Sequence, residues 1–329
     1  MKAVILGTGS WGTALGQVLA DNGAEVMLYG VSPDEIRDIN ENHRNSKYFD
    51  VSIHEGLRAT DSEEVVCDAD VIVAAVPVRA MESVLRTMSG KTEKPAIWIN
   101  VSKGFHPVSH RLMSDVIKEI IPEDKRRAVV SLIGPSHAEE VIQRLFTCVC
   151  AVSSDEAAAE TVQKLFSNRY FRVYRNTDVI GCETGVAVKN VIALASGILE
   201  GIGQGDNARA ALMTRGLAEM TRFGTALGGR EETYLGLDGV GDLIVTCTSH
   251  HSRNFTAGLA IGRDNGAERF LRENTRTVEG IAACRAVHEM AAELGIEMPI
   301  TEQVYRILYE NASPVEAGEE LMGRKLKAE

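Results

Sequence analysis

Two apolar rhythms divide the chain. In the first half, short runs of consecutive apolar and β-branched residues at 3–6, 71–76, 96–100 and 128–132 alternate with polar, glycine-bearing segments. Near-continuous runs of that length are the mark of strands covered on both faces. Residues 25–29 and 171–174 predict two more strands, and 155–167 predicts a helix. From about residue 177 the period lengthens to that of helices, carried by segments 183–203, 207–229, 278–295 and 300–313, each punctuated by glycine or proline.

The point where the first strand becomes helical carries the sequence GTGSWGTALG. Gly7, Gly9 and Gly12 form GxGxxG, and each has a separate task. Gly7 permits a tight turn, Gly9 lets the backbone approach a pyrophosphate, and Gly12 lets the helix pack closely on the strand. The helix, expected from about Trp11 to residue 21, aims its free amides and positive dipole end at the phosphates. A glycine turn alone is common, but here a strand precedes it, a helix follows and a second strand closes the unit. The fold class predicted is α/β, an N-terminal Rossmann-type doubly wound sheet followed by an all-α C-terminal domain. The domains are placed at 1–176 and 177–329. No low-complexity linker, charge block or internal repeat separates them, so a firm interface is expected, with the ligand in the cleft between strand ends and helices.

Composition narrows the partners. The chain has 329 residues, 44% hydrophobic and 25% charged, which is ordinary for a globular protein of two domains. A net charge of -11 disfavours nucleic acid and anionic membrane, although a small basic pocket for an anionic metabolite remains open. No run of about 18 apolar residues and no signal-like N-terminus is evident, so no membrane insertion is expected and the cytoplasm is the predicted location. The six cysteines show no CxxC and no metal-ligand spacing. Reduced, mostly buried thiols are expected, and no metal. Cys148 and Cys150 alternate along a strand, where core packing explains them.

Charge in costly places locates candidate chemistry. Lys189 shares its helical face with Gly185, Val186, Ile192 and Ala193, all small or apolar. A snorkelling lysine and a functional ammonium are both compatible with that face. In LGLDGVGDLIVTCTSHHSRNF, Asp242 and Thr246 are four apart and share one face of a short helix, while Asp242 as a simple helix N-cap is the alternative. Arg253 and Asn254 offer a forked cation and an amide suited to phosphate oxygens, or else form a solvated surface pair. His250 and His251 are left to solvent.

GTGSWGTALG, HRNSKY, VSKG, GPSHAEEV, VKNVIALASGI, GDNARAALMTRGLAEMTR, GLDGVGDLIVTCTS and SRNF, in that order, resemble the bacterial type of NAD(P)-dependent sn-glycerol-3-phosphate dehydrogenases. The resemblance covers nearly the whole chain. It implies reduction of dihydroxyacetone phosphate to sn-glycerol 3-phosphate for glycerophospholipid synthesis. By motif it places the catalytic lysine on Lys189 and sets Lys103 between nicotinamide and substrate. Asn190, Asp242 and Thr246 complete the polar wall. Ser252, Arg253 and Asn254 would hold the phosphate end, with Arg253 also reaching the cofactor. Gly134, Ser136 and Ala138 border substrate and cofactor, and Ala138, Ser10, Trp11 and Glu279 join the three glycines in the cofactor site. A phosphorylated small molecule is the implied partner, and a homodimer is the expectation from the frequency of symmetric oligomers.

The chain departs from this pattern after the second strand. Val31 and Ser32 stand where the family usually supplies a base for the 2′-phosphate of NADP, and Tyr29 and Gly30 supply no acid for the ribose of NAD. Asp34 and Glu35 come later. The expectation is a weak coenzyme preference leaning to NAD, with Arg44 and Lys47 the next cations available. A two-domain hydroxy-acid dehydrogenase and a noncatalytic dinucleotide sensor are the competing classes. The first has no need of Arg253 and Asn254 for phosphate, and the second has no use for a lysine in an apolar helix.

Overall fold

Eight strands form one sheet in the order β3-β2-β1-β4-β5-β6-β7-β8. They are β1 (Lys2–Leu6), β2 (Glu25–Tyr29), β3 (Arg58–Thr60), β4 (Val71–Ala74), β5 (Ala96–Asn100), β6 (Arg126–Ile133), β7 (Thr147–Val152) and β8 (Phe171–Asn176). The computed structural model describes residues 1–326 and 328. Helices α1 (Ser10–Asp21), α2 (Pro33–Asn42), α3 (Val78–Lys91), α4 (Met113–Ile120), α5 (Ala138–Val141) and α6 (Glu156–Phe166) connect the strands. β1, β4 and β5 are buried along nearly their whole length, as continuous apolar runs require. The run predicted at 71–76 is a strand only to Ala74, where the backbone leaves the ladder ahead of Pro77.

The sheet is parallel except where β6 meets β7. Between those two strands α5 has only four residues, about 6 Å of helix against the roughly 26 Å length of the eight-residue β6. Such a helix does not carry the chain back along the sheet, so β7 returns antiparallel. Two apolar clusters cover the faces, one around Leu15, Leu28, Val130 and Phe171, the other around Leu6, Met81, Trp98 and Ile117.

The chain divides into two compact units, Met1–Val179 and Ile180–Glu329. The second is helical: α7 (Val179–Gly201), α8 (Asp206–Ala226), α9 (Asp242–Thr248), α10 (Arg253–Arg263), α11 (Glu268–Glu273), α12 (Glu279–Leu294), α13 (Pro299–Tyr309) and α14 (Pro314–Met322). By length and composition alone α7 is long and apolar enough to cross a membrane. It is instead a core helix, buried from Gly181 to Ile198. All six cysteines are free, four of them buried.

One buried carboxylate holds two of these helices together. Met298 offers no side-chain cap to α13, and Pro299 has no N–H to satisfy. Glu219 of α8, 2% exposed, supplies the missing acceptor. It takes hydrogen bonds from the amides of Ile300 (2.6 Å) and Thr301 (3.3 Å) and from the Thr301 hydroxyl (3.3 Å). Burial outweighs these bonds and pushes the carboxyl up to about 7. The native state therefore keeps this proton where an unfolded glutamate has released it. Its contribution to stability is full below about pH 4.5 and falls as the pH rises to about 7, by about 3 kcal/mol in all. Glu219→Gln keeps an acceptor and has no proton to lose. Urea unfolding of both proteins at pH 5 and pH 8 is expected to show wild type losing at least ~2 kcal/mol relative to the variant; an unchanged difference contradicts the assignment.

Candidate active site

The glycine turn follows β1 directly. Gly7 has φ +122°, and a Cβ there would meet the Ala75 carbonyl oxygen at 2.7 Å. At Gly12 a Cβ would lie 2.3 Å from the Gly7 carbonyl oxygen, so α1 and the turn approach closer than any side chain allows. Gly9 differs: its backbone is extended, and no atom lies within 4 Å of where its Cβ would stand. That open space fronts the start of α1, whose first turn holds no acidic residue to compete for the amides. A dinucleotide pyrophosphate fits this cradle, with Ser10 and Trp11 opening the helix. α1 begins at Ser10, one residue earlier than the apolar pattern indicates.

Asn45, 1% exposed, locks the turn from behind. Its side-chain amide donates to the Thr8 carbonyl and to the Thr13 hydroxyl, both at 2.8 Å. Glu35 is also buried beside the turn, accepting from the Thr8 hydroxyl at 2.5 Å and from the Lys47 ammonium at 2.6 Å. The sequence pattern does not mark Thr8 or Asn45, and marks Glu35 only as an acid lying beyond the strand end. The Ser32-x-x-Glu35 spacing was the available signal, since it marks a helix start. Ser32 does cap α2, accepting from the Glu35 amide at 3.4 Å, while the Glu35 carboxylate turns to the glycine loop instead.

Further along the same unit, the Lys103 ammonium and the Ser136 hydroxyl both donate to the Gly134 carbonyl, at 2.7 and 3.0 Å. Gly134 has φ 137°, a conformation open to glycine, and Ala138 begins α5 four residues later. These four residues thus gather at the carboxyl end of β6 and the loop after β5.

In the helical unit, Lys189 is 3% exposed at mid-helix in α7. Its ammonium donates to Asp242 Oδ1 at 3.0 Å and to Thr246 Oγ1 at 2.5 Å, while the Thr246 hydroxyl donates to the Asp242 carbonyl at 2.6 Å. Asp242 is not the cap of α9, the alternative left open above. Gly241 takes that position, and the carboxylate, 1% exposed, faces the ammonium. Preceding it, a π-helical turn at Leu237–Gly241 contains Gly239 at φ -106°, ψ -106°, outside helical values, where a Cβ would lie 2.1 Å from the Tyr234 carbonyl oxygen. This kink sets the entry of α9 and so the aim of Asp242. Just after Thr246, burial pushes the Cys247 thiol to about 12, which leaves it an inert neighbour.

Asn190, next to Lys189, accepts from the Asn254 amide at 2.8 Å, and Asn254 in turn accepts from the Gly280 N–H at 2.9 Å. A Cβ at Gly280 would lie 2.6 Å from the Asn190 carbonyl oxygen, so α12, opened by Glu279, sits directly on α7. Ser252 is buried and caps α10 by accepting from the Phe255 amide at 3.2 Å. Arg253 is exposed at the first position of α10. The helix start adds its own amides to that cation, a combination suited to an anion. His250 sets its ring edge-on to Phe255, with centroids 5.3 Å apart.

A family model described as the NAD-dependent glycerol-3-phosphate dehydrogenase N-terminus matches residues 2–159, and its C-terminal counterpart matches residues 178–319. The chain belongs to the NAD-dependent glycerol-3-phosphate dehydrogenase family. It is 48% identical over 330 aligned residues to the glycerol-3-phosphate dehydrogenase [NAD(P)+] of Listeria monocytogenes serotype 4a, covering 100% of this chain and 98% of that one. The enzyme of the same name from Streptococcus equi subsp. zooepidemicus is 47% identical over 100% of this chain and 97% of its own. Among solved structures, glycerol-3-phosphate dehydrogenase from Coxiella burnetii superposes with a TM-score of 0.91 at 35% identity, covering 98% of this chain and 99% of that one. The cofactor of the family is NAD(P), and the competing hydroxy-acid dehydrogenase and sensor classes give way to it.

Gly9 and Gly12 predict a contrast. Gly9→Ala is expected to match or exceed wild-type stability, by up to about 1 kcal/mol, because its backbone suits alanine. Its methyl group would nonetheless fill the cradle and weaken NADH binding at least ~10-fold. Gly12→Ala is expected to lose about 1–3 kcal/mol, since the colliding atom is backbone. Urea unfolding and coenzyme fluorescence titration measure both; normal coenzyme binding by Gly9→Ala removes the pyrophosphate from this cradle.

Proposed function

We propose that this chain reduces dihydroxyacetone phosphate to sn-glycerol 3-phosphate with NAD(P)H, in the cytoplasm, where the product serves glycerophospholipid synthesis. The observation that carries the proposal is the Lys189 ammonium, nearly devoid of solvent and held by Asp242 and Thr246. Bound reduced nicotinamide supplies a hydride to the substrate's carbonyl carbon. Negative charge then grows on the carbonyl oxygen, and Lys189 stabilises that charge and gives the proton that completes the alcohol. Asp242 keeps the ammonium charged in surroundings that otherwise favour the neutral amine. Thr246 fixes the direction of the ammonium, since its hydroxyl proton is committed to the Asp242 carbonyl and only its lone pairs face Lys189.

The remaining polar residues bind and orient. Lys103 adds positive charge beside the Gly134 loop, where Ser136 and Ala138 border substrate and cofactor. Asn190 and Asn254, each already holding the other, present fixed amides to the substrate. Arg253, with Ser252 and the start of α10, takes the phosphate and, as an exposed cation, also reaches the cofactor. Glu279 joins Gly7, Gly9, Ser10, Trp11 and Gly12 in holding the cofactor. An anchored phosphate lends binding energy remote from the reacting carbon to the orientation of the carbonyl. We further propose that two copies of the chain associate, as the two-fold dimer is the commonest symmetric assembly of soluble proteins.

The test is coenzyme oxidation with dihydroxyacetone phosphate beside unphosphorylated dihydroxyacetone and a panel of hydroxy and keto acids. The phosphorylated ketone is expected to be the preferred substrate by a wide margin. Arg253→Ala is expected to lower kcat/KM for it by about 1.5–3 kcal/mol per charge-assisted bond lost, with little effect on dihydroxyacetone. Equal loss on both substrates makes Arg253 structural, and no turnover of the phosphorylated ketone by wild type overturns the function.

A further inference from the structure

The turn after β2 carries no charge where a 2′-phosphate or a ribose would call for one: Val31 is 82% exposed and Ser32 is spent on capping α2. The charge arrives from elsewhere in the chain. Gly30, the residue after β2, is covered by the Thr8 side chain, whose atoms come within 2.5 Å of where a Gly30 Cβ would stand. Thr8 is the variable residue between the first two glycines, and its hydroxyl donates to Glu35 Oε2 at 2.5 Å. Glu35 Oε1 accepts from the Lys47 ammonium at 2.6 Å. A carboxylate and an ammonium are thereby tied to the glycine turn at the carboxyl end of β2, the place where the adenosine ribose of a dinucleotide lies in this type of fold.

We propose that Lys47 recognises the 2′-phosphate of NADPH, and that the Glu35–Lys47 pair sets the balance between the two coenzymes. This rests on the GxGxxG unit being the coenzyme site. Three features equip Lys47 for the part. Its side chain is 62% exposed while that of Glu35 is 9% exposed, so the ammonium faces solvent from a buried anchor. Its segment is rigid: Asn45 ties it to Thr8 and Thr13, and the amides of Tyr48 and Phe49 both donate to the Asn45 carbonyl. The hydrogen bond from Lys47 to Glu35 also keeps the ammonium protonated well above ordinary pH.

The other charges nearby are committed differently. Arg37 pairs with Asp34 on the exposed side of α2 at 2.7 Å, and Asp38 accepts from the Ser46 amide at 2.7 Å. Glu35 is thus the counter-charge directly on Lys47. It opposes a 2′-phosphate by repulsion while positioning the cation that attracts it. The expected outcome is a site that takes both coenzymes, with the selectivity adjustable from either member of the pair.

The experiment is fluorescence titration of the full-length protein with NADPH and NADH in the absence of substrate, read as the ratio of the two dissociation constants. Lys47→Met is expected to shift that ratio against NADPH by at least ~10-fold, and Lys47→Arg to preserve it or favour NADPH. Glu35→Gln, which keeps the bond to Thr8, is expected to move the ratio several-fold toward NADPH. Because Lys47→Met strands a buried carboxylate, Lys47→Met/Glu35→Gln is the folding control; it is expected to bind NADPH more weakly than Glu35→Gln alone. A ratio unmoved by Lys47→Met, or moved instead by Arg44→Met, overturns the proposal. Wild type binding neither coenzyme overturns the coenzyme site itself, a different failure.

Discussion

An ammonium at mid-helix, 3% exposed and surrounded by small and apolar residues, persists only where something equally buried answers it. Lys189 has that answer in Asp242. Much of the second unit is arranged around the pair. α7 is buried along most of its length so that Lys189 is screened from water, and the kinked turn at Leu237–Gly241 delivers Asp242 at the start of α9 rather than before it. Removing one member of such a pair typically costs 3–5 kcal/mol, whereas replacing both with apolar groups often costs nothing. Stability alone therefore does not account for keeping the two charges. The proposed role, a proton donor facing a developing alkoxide, does.

The first unit answers a different demand, that of bringing backbone close to a diphosphate. Gly7 and Gly12 are required by their neighbours, whereas Gly9 leaves open space in front of α1. The turn so formed is braced by Asn45 and by Thr8 with Glu35, side chains from the segment between β2 and β3. The bracing has a chemical consequence, since it brings one buried acid and one exposed base to the end of β2, where the strand itself ends in Tyr29 and Gly30. Local backbone geometry and coenzyme choice thus depend on the same few hydrogen bonds.

Much of this is legible in the sequence, and what is not has identifiable causes. The parallel strands announce themselves because burial on both faces demands unbroken apolar runs, as in β4 and β5. β3 does not, since three residues, Arg58 to Thr60, are too few to show a period. The reversal at β7 depends on the length of α5, which is a property of the connection and not of the strand. Lys189 stands out because a charge interrupts an apolar face, whereas its partner Asp242 looks like any capping aspartate until the helix start is known. Glu35 is obscured by the same ambiguity, as the acid of an apparent capping box whose carboxylate goes elsewhere. Glu219 gives no signal at all, because the helix start it satisfies lies 81 residues away in the chain. Local patterns report which residues are buried; they do not report which distant group a buried charge will meet.

We propose Lys189 as the proton donor and Asp242 as the group that keeps it charged, and the pH dependence of kcat for dihydroxyacetone phosphate reduction, measured on wild type and on Asp242→Asn, tests both roles. Loss of the carboxylate leaves a buried ammonium that gives up its proton more readily. The alkaline fall in activity is expected to move toward neutrality in the variant, with activity partly regained as the pH is lowered. An alkaline limb at the same pH in both proteins, or wild-type turnover by Asp242→Asn across the whole range, contradicts these roles.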